Sequence, residues 1–404
     1  MDWMSPQAWD ALRCDVDASP TLPPAAYVDD HYFEAERRAV FSGGWVGAAM
    51  AGDLAEPGRV LVRSVGGTSV LITRNRDGEL RGFLNSCAHR GTELVEHDTD
   101  VGHLIRCPYH RWSYNLDGAL VQAPRFDEVP LSDFDPTDFG LTEVRCERFA
   151  GIVFVSLDDH VPTIDDWFGD LGSRLGGYGV DDFELIESTT YEIEANWKLV
   201  TENFQEYYHL TWVHPELAKV SRVRDHYRFQ GPGRYCGQTT TPVSSEERDE
   251  WSALPPAAGL SASDAQSGRH IALFPNVMVS LLPNHACTFL LEPLAPGRTR
   301  ERVAWSLPHT PDPQGFAELR DFWVDVNSED IDIVERAQRG IDRGRFSGGR
   351  LSPRFEEPLH RFYNMLADRF LGIDRCPPGD PSDALPRYGE GANPVPWSAG
   401  DPES

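Results

Sequence analysis

Four residues carry the spacing of a metal centre: Cys87, His89, Cys107 and His110. They stand as Cys87-Ala-His89, then 17 residues, then Cys107-Pro-Tyr-His110. Two thiolates and two imidazoles in two short loops meet the needs of a [2Fe–2S] cluster of mixed ligation. In such a cluster cysteines hold one iron and histidines the other. Each loop supplies one ligand of each kind, so the loops must face each other. Two Cys and two His also make a structural zinc set. Zinc fingers, however, usually pair Cys with Cys and His with His along the chain, and here the order alternates.

A second constellation lies downstream. Asn196-Trp197-Lys198 reads as the start of a helix running through Glu202-Asn203 and Glu206 to His209, with His214-Pro215 after it. Histidines five apart differ by about 140° around an ideal helix, so the helix must bend or unwind between them. Glu206 and His209, three apart, are expected to share a helix face. From Phe316 an amphipathic helix shows an apolar stripe at Leu319, Trp323, Val326, Ile333 and Ala337, and Asp330 falls on it. A carboxylate buried there is costly unless paired or metal-bound. The bland alternative is an Asp satisfied by an arginine or by backbone. Glu329 and Asp332 fall off the stripe and are expected in solvent. Two imidazoles and one carboxylate leave coordination positions open, as non-haem iron(II) oxygenases require.

The elements that must position these residues are legible in outline. Leu80–Leu84 reads as a strand delivering the first loop, and Leu104-Ile105-Arg106 does the same for the second. From Gly44 to about Leu157, short apolar runs broken by Gly, Asp and Asn predict a small antiparallel β domain. Beyond it, helices are predicted over 163–175, 195–218 and 314–342, and strands over 183–194, 226–240, 269–291 and 299–309. Ser244 to Ser267 reads as a loop over the second site. The fold class is α+β. The domains are expected as a 1–43 N-terminal helical segment, 44–160 with the cluster loops, 161–376 with the mononuclear metal, and 377–404 as an irregular tail.

Composition sets bounds. The 404 residues suffice for two domains. The net charge of −27 opposes nucleic-acid binding, although an acidic surface can steer a basic electron-donating partner. No segment has the roughly 18 apolar residues that a membrane span needs. Seven cysteines without pairing spacings or a signal peptide argue for a reduced, cytoplasmic protein. No dinucleotide-binding fingerprint is present, so NAD(P)H is expected to react at a separate reductase.

Cys87-Ala-His89-Arg90-Gly91 and Cys107-Pro-Tyr-His110-Arg111-Trp112 resemble the cluster loops of Rieske oxygenases, with Arg111 standing where glycine is more usual. Thr92 and Tyr109 occupy the places of the disulfide cysteines of respiratory Rieske proteins. Asn196 to His214-Pro215 and Glu329-Asp330-Ile331 resemble the iron-binding stretches of Rieske non-haem iron oxygenases, and the similarity runs from about 30 to 370. The resemblance implies a Rieske domain, a catalytic domain with a helix-grip (START-like) sheet, and a head-to-tail homotrimer. In that trimer the cluster of one subunit feeds the iron of its neighbour through a bridging carboxylate. Glu206 stands at the bridging position, where many members have Asp, as in members acting on quaternary ammonium compounds such as carnitine. Asn203 is expected to help order the iron site.

The expectation is a terminal oxygenase. Electrons pass from a reductase, with or without a ferredoxin, through the [2Fe–2S] cluster to mononuclear Fe(II) at His209, His214 and Asp330. O₂ and a small organic substrate are then converted by hydroxylation or oxidative demethylation. cis-Dihydroxylation of an aromatic ring is the alternative within the class. An electron carrier with an appended binding domain is the alternative outside it, and such a carrier needs no second iron. Tyr207, Tyr208, Trp212, Phe274, Phe289 and Trp305 are the candidate aromatic lining of a pocket.

Overall fold

The computed structural model describes residues 5–126, 128, 134–221, 223, 226–240 and 254–375. The chain divides into two compact units, Phe41–Ile164 and the rest, Met1–Val40 with Asp165–Ser404.

The inner unit is built on a seven-stranded antiparallel sheet and a three-stranded one. Its strands are β1 (Val46–Met50), β2 (Arg59–Val65), β3 (Thr68–Arg74), β4 (Leu80–Leu84), β5 (Thr99–Asp100), β6 (Ile105–Arg106), β7 (Ser113–Tyr114), β8 (Leu120–Gln122), β9 (Glu143–Phe149) and β10 (Ile152–Ser156). The large sheet has the order β1-β10-β9-β4-β3-β2-β5, and β6-β7-β8 form the small one. Cys87 and Cys107 belong to one buried core with Phe83, Leu94, Ile105, Trp112 and Tyr114. β4 and β6 end where the two cluster loops begin, as the apolar runs predict.

The second unit carries another seven-stranded sheet of β11 (Glu184–Ile193), β12 (His226–Arg228), β13 (Tyr235–Thr240), β14 (Gly268–Leu273), β15 (Val277–Leu282), β16 (His285–Ala295) and β17 (Arg298–Leu307). Its order is β11-β17-β16-β15-β14-β13-β12, so all but β11 follow as a meander. Residues 269–291, read as one strand, are three, because Phe274-Pro275-Asn276 and Pro283-Asn284 turn the chain. Likewise 226–240 breaks into two strands at Gly231-Pro232-Gly233.

Of four helices of this unit, α1 (Asp30–Glu36), α2 (Trp197–Gln205), α3 (Leu210–Val213) and α4 (Pro313–Asp342), the last three carry the second constellation and α1 pairs with the start of α2. Helix α2 packs against β13, β14 and β16 on one side and α4 on the other. Asn196 caps it by accepting from the Lys198 N–H at 3.0 Å. A further helix, α5 (Glu357–Phe370), escapes the sequence reading, although it buries Leu359, Phe362, Met365 and Leu366 at helical spacing. Residues 244–253 of the loop expected over the site, and the tail 377–404, lie outside the described residues.

The stripe of α4 is not the predicted one. Its buried residues are Phe316, Leu319, Trp323, Asn327, Val334, Gln338 and Ile341, while Ile333 and Ala337 are exposed. The sequence reading followed apolar side chains, but two of the inward positions are amides. Asn327 donates to Glu301 at 2.7 Å, and Gln338 accepts from the Asn196 N–H at 2.9 Å. Both amides are satisfied where they are buried, which removes the penalty that would expel them.

The N-terminal segment joins this unit through a buried charge. Glu36 on α1 lies 2.7 Å from Lys198 Nζ, with side chains 1% and 0% exposed, and accepts from Trp197 Nε1 at 3.2 Å. Burial pushes the Glu36 carboxyl up and the Lys198 ammonium down, each partly offset by the other's charge. Removing one partner strands the other, so Lys198→Ala is expected to cost about 3–5 kcal/mol. Lys198→Met combined with Glu36→Gln should recover much of that loss. Urea midpoints of the three proteins check this, and an unmoved midpoint for Lys198→Ala excludes a structural role for the pair.

Candidate metal centres and cavity

The two cluster loops have one backbone design. In the first, the Cys87 N–H donates to Thr92 O and the Gly91 N–H to Cys87 O, both at 2.8 Å. In the second, the Cys107 N–H donates to Trp112 O at 2.8 Å and the Arg111 N–H to Cys107 O at 3.1 Å. The fifth residue of each turn is left-handed, with φ +69° at Gly91 and +61° at Arg111. Glycine adopts that conformation freely and arginine at some cost. Arg111 therefore departs from the usual residue and keeps the usual backbone.

The loops meet. The His89 and His110 ring centroids are 4.8 Å apart, and His89 stacks on Trp112 at 4.9 Å. The Tyr114 hydroxyl lies 3.1 Å from Cys87 Sγ and accepts from the Ala88 N–H at 3.1 Å. Both cysteines are buried, His89 is half-buried and His110 is exposed. Thiolates inside and imidazoles outside form a donor set that fits a cluster of mixed ligation.

The second constellation is assembled by breaks in regular structure. Helix α2 ends at Gln205, and Glu206 is extended, at φ −108° and ψ 162°. His209 and His214 then flank the single turn of α3 as its N-cap and C-cap residues. Glu206 and His209 therefore do not share a helix face as predicted. The turn between them brings the groups together instead. Glu206 Oε1 lies 2.5 Å from His209 Nδ1, and Oε2 accepts from the backbone N–H groups of Tyr208 and His209.

Helix α4 supplies the carboxylates. Asp330 Oδ1 is 2.9 Å from His214 Nε2 and 3.6 Å from His209 Nε2. One donor atom from each of His209, His214 and Asp330 lies within 4.8 Å of the others. Glu329, expected in solvent, has its Oε2 2.6 Å from His214 Nδ1. Its side chain is nearly half exposed, yet it holds the far edge of a ring that is 2% exposed. Adjacency to Asp330 was the available signal, since neighbours on a helix can grip a ring from two sides.

Each imidazole thus has its Nδ1 held by a carboxylate and its Nε2 turned toward Asp330. That is the second partner metal-binding histidines normally have, and it fixes tautomer and orientation. Burial disfavours charge on both rings. It is outweighed by Glu206 beside His209, and by Asp330 and Glu329 beside His214, so both titrate above the usual histidine range. A field that favours positive charge there also favours a divalent cation, and the donor set fits iron(II) with open positions.

The three groups lie on the wall of a cavity of about 940 Å³, counting its open mouth. Asn203 and Glu206 line it, as do Phe204, Phe289, Trp323, Asn327 and Glu301. Of the aromatic candidates, only Phe289 lies there. Phe274 and Trp305 are buried without lining the cavity, Tyr207 packs on His226 and Phe355, and Tyr208 and Trp212 are exposed. Phe204 and Trp323 were not among the candidates.

Comparison with known proteins gives a consistent picture. Residues 44–134 match the Rieske [2Fe-2S] domain, and residues 180–372 match the ring hydroxylating alpha subunit catalytic domain. The chain is 29% identical over 391 residues to the glycine betaine monooxygenase oxygenase subunit of Pseudomonas aeruginosa strain UCBPP-PA14, covering 88% of this chain and 90% of that one. It is 29% identical over 364 residues to the carnitine monooxygenase oxygenase subunit of Escherichia coli K12, covering 87% and 94%. Among solved structures, a quaternary ammonium Rieske monooxygenase, described in terms of carnitine oxidation and inter-subunit electron transfer, aligns with TM-score 0.78 and 26% identity, over 90% of this chain and 98% of that one.

Proposed function

The chain belongs to the Rieske non-haem iron oxygenases, with a Rieske domain followed by a ring-hydroxylating alpha-subunit catalytic domain, and on that premise we propose which of its residues do the work and on what. It is a terminal oxygenase that takes electrons from a reductase partner. When bound, the [2Fe–2S] cluster relays single electrons and the mononuclear iron activates O₂ beside the substrate. Cys87, His89, Cys107 and His110 would hold the cluster. His209, His214 and Asp330 would hold the iron. The observation that carries the second assignment is the pair of imidazoles, each backed by a carboxylate, facing Asp330 on a cavity wall.

Glu206 fixes His209 through Oε1. Each carboxylate oxygen has a second lone pair, and this carboxylate would also accept from a cluster histidine of a neighbouring subunit. The reading is therefore a homotrimer without a small subunit. A single chain supplies both metal centres, and a solved relative is described by inter-subunit electron transfer. Asn203, on the cavity wall one turn before Glu206, would order that side of the site. The protein would work in the reducing cytoplasm, in keeping with six described cysteines free of disulfides. Among the described residues no helix is long and apolar enough to cross a membrane.

The reaction is hydroxylation of a C–H bond or oxidative demethylation, and the substrate class is a quaternary or methylated amine. Relatives named for glycine betaine and carnitine, and the Glu at the bridging position, favour it over arene dihydroxylation. A panel of N-methyl compounds with a surrogate reductase tests the reading. Substrate-dependent O₂ uptake with matching formaldehyde release is expected. cis-Dihydrodiols from arenes would replace it with the dioxygenase reading.

The cluster has its own test. Anaerobically purified, reduced protein should show a Rieske electron paramagnetic resonance signal. Its potential is expected at the low end of the range, about −150 mV, because no loop disulfide forms at Thr92 and Tyr109 and His110 is exposed. Zinc without iron or acid-labile sulfide would sink it.

A further inference from the structure

One ionisable group on the cavity wall has no part in the chemistry assigned so far. Along the first half of β17, Arg298, Arg300 and Arg302 alternate with the buried Thr299, Glu301 and Val303. Period-two alternation puts the two sets on opposite faces of the sheet. Arg300 pairs outward with Glu192 and Glu292. Glu301 is turned inward to the cavity at 1% exposure. Its Oε2 accepts from Asn327 Nδ2 at 2.7 Å, and no described residue forms an ion pair with it.

Apart from the two histidines of the metal site, the described residues set no fixed positive charge on the cavity wall beside Glu301. Among the described residues lining the cavity there is no Lys or Arg. Burial holds His270 and His285 down near 3, so both are neutral at physiological pH. His285 also has both nitrogens engaged, with Trp323 Nε1 at 2.8 Å and Asn284 Oδ1 at 2.7 Å. The other two carboxylates of the wall, Glu206 and Asp330, serve the metal site. Burial pushes the Glu301 carboxyl up to about 7, against the hydrogen bond from Asn327, and the charge of Asp330 adds to the rise. A buried carboxylate without a counter-charge is costly; it is relieved by taking up a proton or by a bound cation. The rest of the wall suits one. Phe204 and Phe289 are 5.7 Å apart and Phe204 and His270 6.2 Å, with Trp323 beside His270 at 6.5 Å. Aromatic faces attract methylated ammonium groups.

We propose that Glu301, held by Asn327, is the residue that selects for a cationic substrate, its carboxylate meeting the ammonium head while Phe204, Phe289 and Trp323 surround the methyl groups. This rests on the oxygenase reading of the site and deepens it. Asn327, which holds Glu301, lies on α4 about one turn before Asp330, so the head group would dock beside the metal ligands, where an N-methyl carbon is in reach of oxidation.

Binding tests this without turnover. Choline and 3,3-dimethyl-1-butanol have one shape and differ in charge. Anaerobic calorimetry on protein assayed for cluster and mononuclear iron gives both affinities. The native protein should bind choline at least about tenfold more tightly than the neutral alcohol, a modest estimate for a desolvated charge pair. Glu301→Gln keeps the shape and an acceptor for Asn327. It should remove most of that preference while leaving the affinity for the alcohol unchanged. Glu301→Asp, which keeps the charge, should retain a preference. Native protein that carries both metals but shows no preference, whether it binds both probes or neither, overturns the proposal and leaves the oxygenase reading standing. So does a Glu301→Gln variant that discriminates as before. Absence of the metals would instead count against the oxygenase reading. The native preference is a test in itself should the Gln variant fail to fold.

Discussion

Asp330→Ala is expected to leave a protein with an intact Rieske spectrum, no mononuclear iron and turnover reduced by at least about a hundredfold. Losing only an outer partner of a ligand typically costs 10–100-fold, and here the proposed ligand itself goes. Asp330 Oδ1 is the atom toward which both Nε2 nitrogens converge. The carboxylate is one quarter exposed, so its removal opens no large cavity in the core. The cluster loops belong to the unit Phe41–Ile164, and Asp330 to the other, so the two metals should be lost independently. His209→Ala with His214→Ala should give the same phenotype. Iron analysis with electron paramagnetic resonance reads both centres in one sample. Retention of the second iron with normal turnover refutes the assignment.

Glu206→Gln should keep both metals and slow electron transfer from a pre-reduced cluster to the catalytic site by about 10–100-fold. The amide oxygen can still accept from His209 Nδ1–H and keep the ring in place, while the NH₂ that replaces Oε2 gives up the bonds from the Tyr208 and His209 N–H groups. The amide lacks the charge and the full acceptor capacity of the carboxylate. Glu329→Gln is the control. It touches the other histidine and should weaken iron binding without changing the transfer rate in iron-loaded protein. Single-turnover oxidation separates the two, and equal rates for Glu206→Gln and native protein would remove Glu206 from the electron path.

What the sequence disclosed depended on how local each signal was. The cluster loops were readable because all four candidate ligands lie within two short turns after predicted strands. Even Arg111 announced itself as the residue out of place, and its positive φ gives the reason. His209, His214 and Asp330 could be suspected from a kink requirement and an expensive carboxylate. The geometry between them could not. Glu206 reaches His209 across a turn, which helical spacing does not describe. Glu329 is exposed, as expected, and only its bond to His214 was hidden; the stripe on α4 was misread because it counted apolar residues, whereas the true one passes through Asn327 and Gln338. Those amides are buried by partners more than 25 residues away, on β17 and at the start of α2. Glu301 was invisible for the same reason, as one Glu in a strand of alternating arginines.

The division of the chain also sets an order of events during synthesis. The Rieske unit is a compact unit made of one continuous stretch, Phe41–Ile164, so it can close soon after it leaves the ribosome. The first forty residues cannot. Trp197, which meets Glu36, is made 161 residues later, and Asp368, which meets Arg13, follows it by 355. At about 5–20 residues per second the nascent α1 waits roughly ten seconds or more for its partner. Throughout that interval Tyr32, Phe33 and Trp9, all buried in the finished protein, are in water. The nascent chain is therefore expected to acquire its iron–sulfur domain first and its oxygenase core last, with the N-terminal segment as the stretch a chaperone has most reason to hold.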